Sequence, residues 1–261
     1  MDKVIVVKIG GATLGSHDTT IEDIVSLQQG GKLMVVVHGG GKLITDWLSK
    51  LGISTRFVHG ERVTDKATLE VVTAVLGGLV NKEIVAAINR RGGQAIGISG
   101  VDGGLIQGKI KDVELGYTGE VVKVNISPLE ALLQAGYVPV VSPLSLNASA
   151  KRDDTPQMLN VNADLVAGEI AAALGAEKLI FLTDVAGICD QSGKLLSRLS
   201  SGEAEALMAS GVASGGMIPK IKACLRALDS TPDARIIDGR QPHALLGEVE
   251  GQGGGTTIHT A

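Results

Sequence analysis

Val4-Ile-Val-Val-Lys8-Ile-Gly-Gly11 stands at the start of the chain, and the fold is read outward from it. The run is apolar, β-branched at most positions and too short for a long helix. That composition predicts a strand buried on both faces, as in a parallel sheet. A lysine is seldom buried without a partner, so Lys8 is expected to emerge where the strand runs out. Gly10 and Gly11 then let a ligand come close to the backbone. In open α/β sheets the ligand crevice lies at the carboxyl ends of the strands. A strand end with a solvated lysine is the lesser alternative for this stretch taken alone.

The second strand adds weight. Residues 33–37 form another apolar run, and it opens into His38-Gly-Gly-Gly41-Lys42. Three glycines between a buried strand and a helix present N–H groups that can face an anion. The stretch is not a P-loop, because Leu43 follows Lys42 and the four-residue spacer is missing; the G-x-G-x-x-G fingerprint is absent too.

The 261 residues allow one large α/β domain or two lobes sharing a sheet. Apolar residues make up 44% and aromatics only 2%, so the core is built from Val, Ile, Leu and Ala. A net charge of −4 with no Lys/Arg block gives no footprint for nucleic acid or an acidic membrane. Cys189 and Cys224 share no metal-type spacing and suit a reducing cytoplasm without disulfides. The first strand begins almost at Met1, leaving no room for a signal peptide, and no apolar stretch approaches the roughly 20 residues of a membrane span. The expectation is a soluble cytoplasmic protein.

Along the chain, Thr20-Ile-Glu-Asp23 reads as a capping box. Leu43, Ile44, Trp47, Leu48 and Leu51 fall on one helical stripe, with Trp47 expected in the core. Arg62 follows a glycine-led turn just before a helical stretch over residues 66–91, interrupted near Gly77-Gly78; its planar fork suits a carboxylate or phosphate, and a surface arginine is the alternative. Asn81-Lys82-Glu83 is expected on a solvated or subunit-contacting face, residues 94–99 as a strand, and residues 105–124 as a meander serving as a lid or flap. Residues 127–134 read as a helix, 137–142 as a buried strand and 147–157 as a polar loop. Asn160-Val-Asn-Ala-Asp164 leads into an alanine-rich helix, and strand 178–182 ends in Thr183-Asp-Val-Ala-Gly187. Asp190-Gln-Ser-Gly193 reads as a hairpin turn, and Ser214-Gly-Gly-Met-Ile-Pro-Lys220 exposes a helix N-terminus with Pro219 in its first turn. Residues 235–238 are a strand, 242–248 a helix and 256–259 an edge strand. No histidine has metal-ligand spacing to a partner. Cations and glycine N–H donors at several strand ends, with no evident nucleophile or general base, suit phosphoryl transfer.

Taken in order, Lys8-Ile-Gly-Gly11, His38-Gly-Gly-Gly41, Arg62-Val-Thr, Asn160-Val-Asn-Ala-Asp164, Thr183-Asp-Val and Gly215-Gly-Met-Ile-Pro-Lys220 resemble the amino-acid kinase family, and within it the N-acetylglutamate kinases. The resemblance covers nearly the whole chain. It implies a three-layer αβα sandwich on a mostly parallel sheet, with an N-terminal lobe (residues 1–176) for the acyl amino acid and dimerisation and a C-terminal lobe (residues 177–261) for ATP. The implied reaction is ATP-dependent phosphorylation of the γ-carboxylate of N-acetyl-L-glutamate in arginine biosynthesis. By motif, Lys8 and Lys220 flank the transferred phosphoryl group and Asp164 organises them. Gly40, Gly41, Arg62 and Asn160 hold the substrate, with Arg62 on its α-carboxylate. Gly10, Gly11, Thr183, Asp184, Val185, Gly187, Ile188, Ser214, Gly215, Gly216 and Met217 border ATP. No protein ligand for Mg²⁺ is identified, so the ion is expected to be held mainly by ATP.

The loop carrying Lys151-Arg152-Asp153-Asp154 departs from the family pattern. Rival readings are a kinase for carrier-linked glutamate or aminoadipate and a non-catalytic nucleotide sensor; an aspartokinase would need an effector domain after Ala261. Arginine-inhibited family members carry an N-terminal helix that links dimers into hexamers. Only Met1-Asp2-Lys3 precede Val4 here, so a homodimer insensitive to arginine is expected.

Overall fold

The computed structural model of the chain describes residues 3–10, 19–58, 60–150 and 155–260. Strand β1 (Val4–Ile9) is followed by α1 (Thr20–Gln29), β2 (Leu33–His38) and α2 (Gly41–Lys50). A short hairpin, β3 (Phe57–Val58) and β4 (Glu61–Arg62), leads to α3 (Lys66–Thr73), a π-helical segment Ala74–Val80 and α4 (Asn81–Arg90). Then come β5 (Ala95–Ser99), β6 (Ile106–Ile110), β7 (Thr118–Val124), α5 (Ser127–Gln134), β8 (Val138–Ser142), β9 (Leu144–Asn147) and β10 (Met158–Val161). The chain continues with α6 (Ala163–Leu174), β11 (Lys178–Thr183), β12 (Arg198–Ser200), α7 (Ser201–Ala209), α8 (Met217–Ala227), β13 (Asp233–Asp238), α9 (Ala244–Val249) and β14 (Thr256–His259).

Eight strands form one sheet in the order β12-β14-β13-β11-β1-β2-β8-β5. Every pairing is parallel except β13 with β14. β1 lies between β2, its neighbour in sequence, and β11, which comes far later. Strand order reverses there, which is where open α/β sheets leave a crevice.

The strand period of two decides which way each residue of β1 points. Ile5, Val7 and Ile9 join the core beneath α1, α2, α3, α4 and α9. Val4 and Val6 join the opposite core, with Val166 and Ile170 of α6 and Ile221 and Cys224 of α8. Lys8 shares the parity of Val4 and Val6, so it faces α6 and α8. Rather than emerging, it is 7% exposed.

Several elements differ from expectation. Thr20–Asp23 is not a capping box: α1 begins at Thr20 without a side-chain cap, and Asp23 instead binds His243. Trp47 is 38% exposed and Leu51 57%, because the stripe meets the core through the buried Ile44 and Leu48 and the partly buried Leu43. Asn81 is fully buried rather than solvated. β6 and β7 do not form a free flap but close a four-stranded barrel with β9 and β10, which come from later in the chain. β14 is no edge strand, since β12 covers it; β12 has only three residues and no distinctive pattern. The continuous helix Lys66–Arg90 is 25 residues long and apolar enough to cross a membrane by length and composition, contrary to the sequence reading. Its Leu69, Val72, Leu76, Ile84 and Ile88 face are buried, and all but Leu69 join the core on the sheet.

Candidate active site

Three charged side chains meet where β1 ends. Lys8 Nζ lies 2.6 Å from Asp164 Oδ1, and Lys220 Nζ lies 3.1 Å from Asp164 Oδ2. Asp164 sits in the first turn of α6, whose N-terminus is held by Asn162: its Oδ1 accepts from the N–H of Asp164 at 2.8 Å and of Leu165 at 3.3 Å. Lys220 lies in the first turns of α8 and also donates to the Gly216 carbonyl at 3.1 Å. The two helices bring their N-terminal ends together because Gly168 has no side chain: a Cβ there would lie 2.6 Å from the Ala223 carbonyl oxygen. Burial acts to raise the Asp164 pKa, but the two ammonium groups outweigh it and hold the carboxyl below the usual carboxylate range. The Cys224 thiol nearby is pushed up by burial, so it is an inert core group.

A cavity of about 220 Å³ opens from this centre. Lys8 and Asp164 line it together with Gly40, Gly41, Arg62 and Asn160. Arg62 donates through Nη2 to the Gly41 carbonyl and to Thr45 Oγ1, both at 2.9 Å, and its guanidinium stacks 4.8 Å from the Phe57 ring. Its Nη1 is buried and has no partner among the described residues. The backbone of Arg62 is fixed as well, since Thr118 Oγ1 donates to its carbonyl at 2.7 Å. Asn160 Nδ2 donates to Thr64 Oγ1 at 3.1 Å. The cavity is therefore lined both by a fixed fork with a spare donor and by an ammonium–carboxylate pair.

Residues 3–238 match the family model described as the amino acid kinase family. The chain belongs to the amino acid kinase family. Among curated relatives, acetylglutamate kinase from Dehalococcoides mccartyi is 50% identical over 255 residues, which cover 98% of this chain and 94% of that protein. Among solved structures, N-acetylglutamate synthase from Neisseria gonorrhoeae, complexed with coenzyme A and N-acetyl-glutamate, superposes with a TM-score of 0.84 at 25% identity, covering 99% of this chain and 60% of that one. Carbamate kinase from Giardia lamblia bound to AMP-PNP has a TM-score of 0.70 at 17% identity, covering 99% of each chain, and shares the fold.

The residues expected around ATP lie at the ends of β1 and β11 and in the turn before α8. Gly10 N–H donates to the Leu182 carbonyl, joining β1 to β11, and Gly11 lies outside the described residues. Thr183 ends β11; Asp184 and Val185 follow it in an exposed turn. Gly187 sits at φ 146°, and the buried Ile188 donates its N–H to Thr256 Oγ1. Ser214, Gly215 and Gly216 form the turn before α8, in which Met217 N–H returns to the Ser214 carbonyl. Among the described residues of this set, none lines the cavity at Lys8. The same cavity includes Phe57, Leu76, Thr118 and Pro143, which the sequence did not single out. No local signal marks them, because each is an ordinary apolar or hydroxyl residue brought in by tertiary packing. Among the described residues no three His, Cys, Asp or Glu side chains cluster as a metal site.

Proposed function

We propose that this protein is the kinase that transfers the γ-phosphoryl group of ATP to the γ-carboxylate of N-acetyl-L-glutamate, forming N-acetylglutamyl 5-phosphate for arginine biosynthesis. The observation that carries the reading is 50% identity to an acetylglutamate kinase over 98% of the chain, and it is supported by a cavity that Lys8 and Arg62 line together. A side-chain carboxyl with a reference pKa of about 4.3 is already ionised at neutral pH, so its oxygen can attack phosphorus in line without a general base. The protein's task is then to hold two anions together.

The Lys8–Asp164–Lys220 arrangement supports that task. In our reading the two ammonium groups neutralise charge on the phosphoryl oxygens in the transition state, and Asp164 keeps them at a fixed separation. The spare Nη1 of Arg62 supports a contact with the α-carboxylate of the substrate. Gly40 and Gly41 open α2, where N–H groups have no intrahelical acceptor, and would supply backbone donors. Both Asp164 oxygens lie against ammonium groups, so the donor set at this centre does not fit a directly ligated Mg²⁺. We take the ion to arrive on the phosphate oxygens of ATP, and the protein to work as a cytoplasmic homodimer through the outer face of Lys66–Arg90.

An ATP-consumption assay over N-acetylglutamate, glutamate, aspartate and N-acetylaspartate tests the reaction. Turnover is expected with N-acetylglutamate above all others. Silence with it, or activity only when the amino acid is attached to a carrier protein, would sink the proposal.

A further inference from the structure

His38 ends β2 and has no exposed surface. By the period of two it lies on the same face as Met34 and Val36, toward α3 and α4 and away from the Lys8 side. Its ring has two partners. Nε2 lies 3.2 Å from Asn81 Nδ2, and Nδ1 lies 3.0 Å from the carbonyl oxygen of Gly39. The surroundings of Asn81 decide which ring nitrogen holds the proton. Asn81 Nδ2 also points at the Val140 carbonyl (2.9 Å) and the Ile98 carbonyl (3.3 Å), while its Oδ1 accepts from Lys82 Nζ at 2.9 Å. Turned the other way, the amide would set oxygen against carbonyl oxygens and nitrogen against an ammonium group. Asn81 therefore donates to Nε2, and Nδ1–H donates to Gly39. Burial lowers the His38 pKa to about 4, aided by the charges of Lys8 and Lys82, so the ring is neutral as this tautomer requires.

Asn81 reaches His38 because of two backbone features. The π-helical segment Ala74–Val80 ends immediately before it, and such a widened turn shifts the register of the residues that follow. Gly97 on β5 leaves the space: a Cβ there would overlap Asn81 Oδ1 and lie 2.7 Å from Lys82 Nζ. Leu76 of the same π-helical segment packs against Gly40, where a Cβ would lie 2.7 Å from Leu76 Cδ2. A trans peptide is planar, with its C=O and N–H on opposite sides. Holding the Gly39 carbonyl toward the buried histidine therefore turns the Gly40 N–H the other way. Gly39, Gly40 and Lys8 all line the cavity, and His38 does not.

We propose that His38 and Asn81 are positioning residues for phosphoryl transfer, which lock the Gly39–Gly40 peptide so that the Gly40 N–H donates to the phosphoryl group in the transition state. This rests on the kinase reading above. His38→Asn and His38→Gln separate the roles, since an asparagine amide can donate from near the Nδ1 position and a glutamine amide sits near Nε2. With N-acetylglutamate and ATP, His38→Gln is expected to lower kcat at least about tenfold with both KM values within about threefold of wild type, as for loss of a transition-state donor. His38→Asn should restore kcat to within about threefold of wild type. Binding of ADP with aluminium fluoride should weaken in step with kcat, while a non-hydrolysable ATP analogue binds as before. Equal kcat in the two variants, or a loss carried by KM, overturns the assignment. If His38→Gln does not fold by circular dichroism, Asn81→Ser reads the same step through the partner, and unchanged kcat there overturns it. Absence of wild-type turnover overturns the kinase reading with it, whereas normal wild-type turnover with indifferent variants overturns this assignment alone.

Discussion

Asp164 is the residue on which the site turns, because it is buried with an ammonium group against each oxygen. Removing one member of a buried charge cluster leaves the others uncompensated, which costs more than the pair itself contributes. Lys8→Ala and Lys220→Ala are each expected to lower kcat at least about a hundredfold, by analogy with loss of a transition-state electrostatic donor. Steady-state kinetics on folded variants checks this, and near-normal kcat in Lys8→Ala would remove it from the mechanism. Arg62→Ala should behave differently. A carboxylate clamp holds ground and transition states alike, so KM for the acyl amino acid rises about tenfold or more while kcat changes little.

At the scale of elements, the close crossing of α6 and α8 sets the distance between Asp164 and Lys220. Gly168→Ala places a methyl group against the Ala223 backbone, which has no flexible side chain to yield. Overpacking of this kind costs about 1–3 kcal/mol. The expected outcome is a lower melting temperature together with reduced kcat, because the helices that carry the charges are pushed apart; an unchanged enzyme would show that the crossing has slack. A second junction ties α1 to α9. His243 Nδ1 lies 2.7 Å from the buried Asp23 Oδ1, Asp23 Oδ2 accepts from the Leu246 N–H, and Thr19 Oγ1 accepts from the His243 N–H. The hydrogen bond and charge of Asp23 raise the His243 pKa. A raised folded-state pKa gives stabilisation that is complete below the unfolded value of about 6.5 and is lost as pH rises through the folded value. The melting-temperature gap between wild type and His243→Gln should therefore be widest near pH 5–6 and close by about pH 9. A gap that is flat in pH would contradict the assignment of charge to this contact.

At the scale of the whole molecule, β1 is the seam. It pairs along its length with β2 on one side and β11 on the other, so β2, β8 and β5 share one sheet with the strands that follow α6. Neither set can lose its order without stripping partners from β1. Calorimetry should accordingly record one cooperative unfolding transition, raised by saturating ATP. Two resolved transitions would mean that the seam does not couple the halves.

Local composition determined a good deal here. Runs such as Val4–Ile9, Leu33–His38 and Lys178–Thr183 have no polar face, so they belong at the centre of a parallel sheet, and the glycines at their ends place the crevice. Helix α5 lies at the residues its pattern predicts. Six ordered motifs were enough to point to the family. Tertiary structure alone decided what those residues face. Lys8 is buried because Asp164, more than 150 positions away, compensates its charge, and no window around Lys8 contains that information. Trp47 is outside because α2 meets the core through Leu43, Ile44 and Leu48 instead, and Asn81 is inside because a π-helical turn and Gly97 admit it. β6 and β7 became barrel rather than flap once β9 and β10 supplied the missing edges. Periodicity reports whether a segment has a buried face; the partner that buries it is a long-range contact, and long-range contacts decide whether a polar residue is a solvent group or a compensated member of the core.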